Sequence, residues 1–205
     1  MQTEGGKELK LVWGIIVRQE EHWFQAFVSQ DGEVLALHDW VAHESYLAFP
    51  LSVDNPSDGD RELMTDPFDP VASPLGWHDN GVDPVFSTTI GNNVYAQENF
   101  DGSTANDWLD NFRPSGGRDN RYVFPIDHTE EPKEYVNASI TSLFFANNLI
   151  HDVFYQYGFD EISGNFQENN FERGGLGNDA VQANGQDGAG TNNGIFLLLV
   201  WNSID

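Results

Sequence analysis

Residues 139–157 carry the clearest periodic pattern in this chain of 205 residues: Leu143, Ala146, Ile150, Val153, Phe154 and Tyr157 recur at steps of three and four. That spacing stacks all six on one face of an α-helix. Ser139 is the expected N-cap and Gly158 the expected stop. An apolar helical face has to be covered by another layer, and the rest of the chain offers mainly short strands and loops for that purpose. The expected fold class is therefore α+β: a β-meander followed by a strand- and loop-rich subdomain built on one long amphipathic helix.

The meander comes first. Leu9–Val17, His22–Ser29 and Glu33–Val41 alternate apolar and polar residues, and Asp31-Gly32 supplies a tight turn between the second and third strands. Three such strands offer an apolar face with nothing to cover it, so residues 1–43 read as part of a larger domain. From Ala42 to about Asp69 the composition changes. Pro50, Pro56, Pro67 and Pro70 punctuate a run of Asp and Glu, which predicts a linker or an extended surface arm. Beyond it, Asn93–Ala96 and Arg121–Phe124 read as short strands between loops. Residues 165–193, rich in Asn and Gly, form a loop-rich surface with one short strand at Ala180–Ala183.

Charge narrows the function classes. Against 33 Asp+Glu stand 9 Lys+Arg, a formal charge of -24. A chain so acidic repels phosphate backbones and anionic lipid, which excludes nucleic acid and the membrane surface as partners. With 39% hydrophobic and 13% aromatic residues it still has the means to build a core. The absence of cysteine excludes disulfides, thiolate zinc sites and a cysteine nucleophile. Met1–Lys10 contains no apolar stretch of the kind a secretory signal needs, and the apolar run Ile195–Trp201 is too short to span a bilayer.

Catalytic motifs are sparse. A two-histidine zinc peptidase places His at i and i+4 on a helix with Glu beside the first, so that both rings reach one ion and the Glu takes a proton from bound water. The one His-Glu dipeptide is His43-Glu44, and Leu47 stands where the second histidine belongs. His151-Asp152, with Tyr155 one turn on, offers a metal or acid/base pair; the plainer reading is a helix histidine bonded to a neighbouring loop. Gly175–Ala180 matches a dinucleotide-binding pattern, but no apolar strand precedes it. The stretch around Asp179 and Asp187 offers oxygen ligands for calcium without the spacing of a twelve-residue calcium loop. Asn137-Ala138-Ser139 is a glycosylation sequon, relevant in a secreted protein.

A family resemblance emerges from residues 136–196. Asn147-Asn148-Leu149-Ile150-His151-Asp152-Val153-Phe154-Tyr155-Gln156-Tyr157-Gly158-Phe159-Asp160-Glu161, Gly164–Gln167, Asn169-Asn170-Phe171 and Gly174–Gly188 through Asn192-Asn193 closely resemble the fungalysins, secreted fungal zinc metalloendopeptidases of the thermolysin-like group. The likeness extends more loosely through Asp66–Pro74 and Gly91–Ala96.

The resemblance implies that residues 1–43 are the C-terminal part of an inhibitory propeptide and residues 44–205 an incomplete N-terminal subdomain of the catalytic domain. It implies extracellular protein or peptide substrates, a propeptide–catalytic domain contact and secretion. The zinc belongs to the intact enzyme: the family's His-Glu-x-x-His helix and downstream Glu ligand are absent from these residues, so no catalytic or metal-ligating residue is assigned, and the chain alone is expected to be inactive. Asn192, Asn193 and Gly194 match the family's Asn-Asn-Ala edge strand, against which substrate lies as an added strand; they are the expected substrate-binding residues. After Phe196 the family pattern gives way to Leu197–Asp205, which fits a truncated gene model. Two other classes stay open: a secreted calcium-dependent carbohydrate-binding module, and an inhibitory fragment that pairs with a full-length protease.

Overall fold

A computed structural model describes residues 11–18, 23–39, 43–53, 56–103 and 110–190. The chain divides into two compact units, Met1–His43 and Glu44–Asp205. The first holds an antiparallel meander of β1 (Val12–Arg18), β2 (Trp23–Ser29) and β3 (Val34–Asp39) in the order β1-β2-β3. The β2–β3 turn closes where Ser29 N–H donates to Glu33 O at 2.8 Å and Gly32 N–H to Ser29 O at 3.0 Å. Gly32 takes the left-handed conformation, φ 86°, that this tight reversal needs. Apolar residues are exposed on both faces of the sheet: Trp13, Ile15 and Val17 on one side of β1 and Ile16 on the other.

In the second unit, β4 (Ser45–Ala48) lies between β5 (Glu62–Thr65), antiparallel, and β7 (Arg121–Tyr122), parallel. A second small sheet pairs β6 (Val94–Glu98) with β8 (Val181–Gly185) in parallel, Val94 opposite Val181. The helix α1 (Val136–Gln156) packs on β4, β6 and β8. Mixed short strands and one long helix make the fold α+β, as the sequence predicts.

The start of the region read as a linker is instead part of the core: β4 is buried, while residues 51–52 and 56–58 are exposed. Tyr46 is fully buried, and its ring stacks on Tyr122 at 5.3 Å between centroids and lies 5.4 Å from Trp77. Prolines and carboxylates dominate the composition of this stretch and mask the short buried strand at its start.

Two details of α1 also differ from expectation. The helix begins three residues before Ser139, out of a 3-10 turn at Pro132–Tyr135 whose proline suits a first turn. Its N-cap is Tyr135, with no side-chain cap, and Ser139 Oγ accepts a hydrogen bond from Gln186 Nε2 at 3.0 Å. The larger correction concerns the face. Ala138, Ile140, Thr141, Phe144, Phe145, Asn148 and Asp152 are buried, while Ile150, Phe154 and Tyr157 are 47%, 53% and 85% exposed. The stop is as expected: Gly158 has φ 91° and its N–H donates to Tyr155 O at 3.0 Å.

Candidate functional site

Two polar centres lie inside the second unit, one where β4 meets the 76–78 loop and one on the buried face of α1. At the first, Glu44 Oε1 accepts from the main-chain N–H of Trp77 at 2.8 Å and of His78 at 3.2 Å. Tyr46 Oη lies 3.0 Å from Glu44 Oε2 and 2.7 Å from His78 Nε2, and His78 Nδ1 lies 3.0 Å from Ile90 O. His78 is sandwiched between the Tyr122 and Phe144 rings at 5.0 and 4.7 Å.

Ile90 O only accepts, so a neutral His78 carries its hydrogen on Nδ1. The Tyr46 hydroxyl donates to Glu44 Oε2 and lies beside His78 Nε2. Burial pushes the Glu44 carboxyl up to about 7, against the lowering effect of its hydrogen bonds, and pushes His78 down to about 4. The Tyr46 hydroxyl is also driven well up, by burial and then by Glu44.

At the second centre, Asp152 Oδ2 accepts from Asp69 N–H at 2.9 Å and Trp77 Nε1 at 2.8 Å, and Oδ1 accepts from Ser73 Oγ at 2.7 Å. His151 Nδ1 stands 2.9 Å from the same Oδ1, and its Nε2 is 3.3 Å from Asn165 Nδ2. Asn93 Nδ2 bonds both Ser73 Oγ at 3.0 Å and Asn148 Oδ1 at 3.1 Å. Asp152 thus ties α1 to the 69–77 loop, and His151 takes the structural role that the plainer reading gave it. Tyr155, one turn on, has its ring 6.4 Å from that of His151 and donates to Glu161 Oε2 at 3.0 Å, and Arg173 Nη1 meets Glu161 Oε1 at 3.2 Å.

The open face of α1 borders a cavity of about 320 Å³ lined mainly by apolar side chains, including Ile150, Phe154, Phe159, Phe166 and Val181. The sequence located these helix residues and took them for the face turned into the core.

Zinc does not fit the described residues. Both ring nitrogens of His78 and of His151 are engaged within the protein, and among the described residues no group of three or more His, Cys, Asp or Glu is placed to hold a metal. Asp179 and Asp187 flank β8 at opposite ends. Asp179 Oδ1 accepts Gln167 N–H at 3.0 Å and Asp187 Oδ1 accepts Ala189 N–H at 2.7 Å, so the two do not converge on one ion. Gly175–Ala180 leads into a strand, not the helix that a dinucleotide loop requires. Asn192, Asn193 and Gly194 lie outside the described residues, and so does the run Ile195–Trp201. Ahead of them, β8 bonds β6 along one edge.

A family model for the fungalysin metallopeptidases (M36) matches residues 45–200, and the chain belongs to that family. It is 39% identical over 199 residues to extracellular metalloproteinase 1 of Arthroderma gypseum, covering 96% of this chain and 31% of that protein. It is 38% identical over 198 residues to extracellular metalloproteinase 5 of Trichophyton tonsurans, covering 96% and 32%. With extracellular metalloproteinase 10 of Coccidioides posadasii it shares 40% over 191 residues, covering 92% and 30%. The chain therefore spans about a third of the length of these relatives. Among the described residues no helix is long and apolar enough to cross a membrane.

Proposed function

We propose that residues 44–205 are the first part of the catalytic domain of a secreted zinc metalloendopeptidase that hydrolyses internal peptide bonds of extracellular proteins, and that residues 1–43 are the end of its inhibitory propeptide. The observation that carries this reading is a coincidence of boundaries: the family match begins at residue 45, next to the His43/Glu44 division between compact units. The relatives' names, extracellular metalloproteinase, support the site of action.

The role of the described residues is to hold a scaffold. Asp152 and Glu44 fix α1 and β4 to the 69–78 loop, and β6–β8 carries the chain toward Asn192, Asn193 and Gly194. Those three residues are proposed to register a peptide by main-chain hydrogen bonds, as an added strand. Zinc, when bound in the intact enzyme, polarises the scissile carbonyl and activates water; its ligands are not among these residues.

The test is a chimera in which residues 45–190 replace the matching segment of the Trichophyton tonsurans enzyme. Secreted, chelator-sensitive cleavage of casein is the expected result, while the purified 205-residue chain cleaves nothing and holds no stoichiometric zinc. A folded chimera that secretes and binds zinc but leaves casein intact, or chelator-sensitive cleavage by the 205 residues alone, would overturn the reading.

A further inference from the structure

We infer that Asn137 carries an N-linked oligosaccharide, attached through its side-chain nitrogen in the first turn of α1. The inference rests on the proposed secretion of the chain, because this modification belongs to proteins that pass through the secretory route.

The motif is Asn137-Ala138-Ser139. Asn55-Pro56-Ser57 has the same ends, but a proline in the middle position blocks the transfer, so the 205 residues hold one usable site. A three-residue motif arises by chance in many chains, and it gains weight where the fold leaves its amide available. Asn137 is the second residue of α1 and is partly exposed, and it follows a stretch, 127–134, in which every residue is exposed. Ala138 and Ile140, at 1% and 0% exposed, anchor this turn of the helix without it.

The other two asparagines of α1 are bound into the fold. Asn147 Nδ2 donates to Leu143 O at 2.8 Å and Asn148 Nδ2 to Phe144 O at 2.9 Å, while Asn148 Oδ1 accepts from Asn93 Nδ2 at 3.1 Å. The Asn137 side chain has no such partner among the described residues. A sugar on Nδ2 there displaces no hydrogen bond of the fold.

The serine of the motif fits the order of events. Its hydroxyl is required while the sugar is transferred to the unfolded chain, and in the folded protein Ser139 Oγ accepts from Gln186 Nε2 at 3.0 Å. Gln186 lies 47 residues further on and also donates to Pro132 O at 2.6 Å, so the hydroxyl is claimed only after β8 has been made and docked. In the transfer, Asn137 Nδ2 bonds to the anomeric carbon of a lipid-diphosphate oligosaccharide. The bond from that carbon to the diphosphate oxygen breaks, its electron pair leaves with the lipid diphosphate, and one Nδ2 proton passes to a base. The product is a bulky, hydrated and uncharged cover beside the first turn of α1.

Translation of the full chain behind a cleavable secretory signal, with microsomes present, tests this, because entry and modification are read separately. Chains protected from added protease are expected to gain the mass of one glycan, and N-glycosidase should remove it, leaving aspartate in place of the linked Asn137 for peptide mass spectrometry to read. Asn137→Gln and Ser139→Ala should abolish the gain, and Ser139→Thr should keep it. Transfer precedes folding, so a variant that folds poorly does not obscure the result. Protected chains that stay unmodified, or a gain that survives Asn137→Gln, would overturn the site. Failure of the secretion reading looks different: the borrowed signal still yields the modified chain, while protein made from its own gene stays in the cell without a glycan.

Discussion

Glu44 and His78 stand at the two sides of the buried Tyr46 hydroxyl, and their opposite shifts make stability depend on pH in two opposed ways. Glu44 is raised from 4.5 to about 7, so between those values the folded state holds a proton the unfolded chain has released, and stability falls as pH rises. His78 is lowered from 6.5 to about 4, so between those values the unfolded chain holds the extra proton, and stability rises with pH. From 4.5 to 6.5 the slopes cancel. Glu44→Gln should therefore unmask the rising limb from pH 4 to 6.5, and His78→Gln the falling limb from pH 4.5 to 7, each on the order of 3 kcal/mol. Urea unfolding across that range checks this, and variant curves parallel to the parent's would refute it. The sequence marks Glu44 only as half of a His-Glu dipeptide and His78 not at all, because the rings that sandwich His78 come from Tyr122 and Phe144, remote in the chain.

At the level of elements, the existence of α1 was legible and its orientation was not. Periodicity finds helices because apolar residues recur, but it counts Asn148 and Asp152 as solvent-facing. Both point inward because Asn93, Ser73, Trp77 and Asp69 satisfy their polar atoms, a set of partners visible only after folding. Phe144→Ala on the buried face should thus cost about 3–5 kcal/mol. Phe154→Ser and Ile150→Ser, on the stripe that the pattern favours, should each cost less than about 1 kcal/mol, because much of each side chain already meets water. Denaturant unfolding of the three variants decides between the faces. The short strands β6 and β8 were readable from their β-branched and aromatic residues, whereas β4 was hidden by the prolines and carboxylates after it. The candidate edge segment Asn192–Gly194 was legible through the family pattern alone.

For the whole molecule, the charge of -24 sets the response to salt. Self-repulsion among carboxylates opposes compaction, and screening shortens from about 30 Å at 0.01 M to about 3 Å at 1 M. Raising NaCl from 0.01 to 0.5 M should raise Tm by several degrees, read by thermal unfolding; a flat or falling curve would show that the acidic surface is not under strain. The same unit also carries its own measure of where an end can be trimmed. Glu44 N–H donates to Asp66 Oδ1 at 2.9 Å, and Asp66 N–H donates to Glu44 O at 2.8 Å, while the Glu44 side chain is locked inward. A peptidase must peel its substrate into an extended form before it can cut. An exopeptidase nibbling along the chain from the meander side is thus expected to halt at Glu44, which N-terminal sequencing of the trimmed product checks. The first residue of the trimmed product is set by where the fold grips the backbone, whatever the sequence taste of the enzyme that trims it.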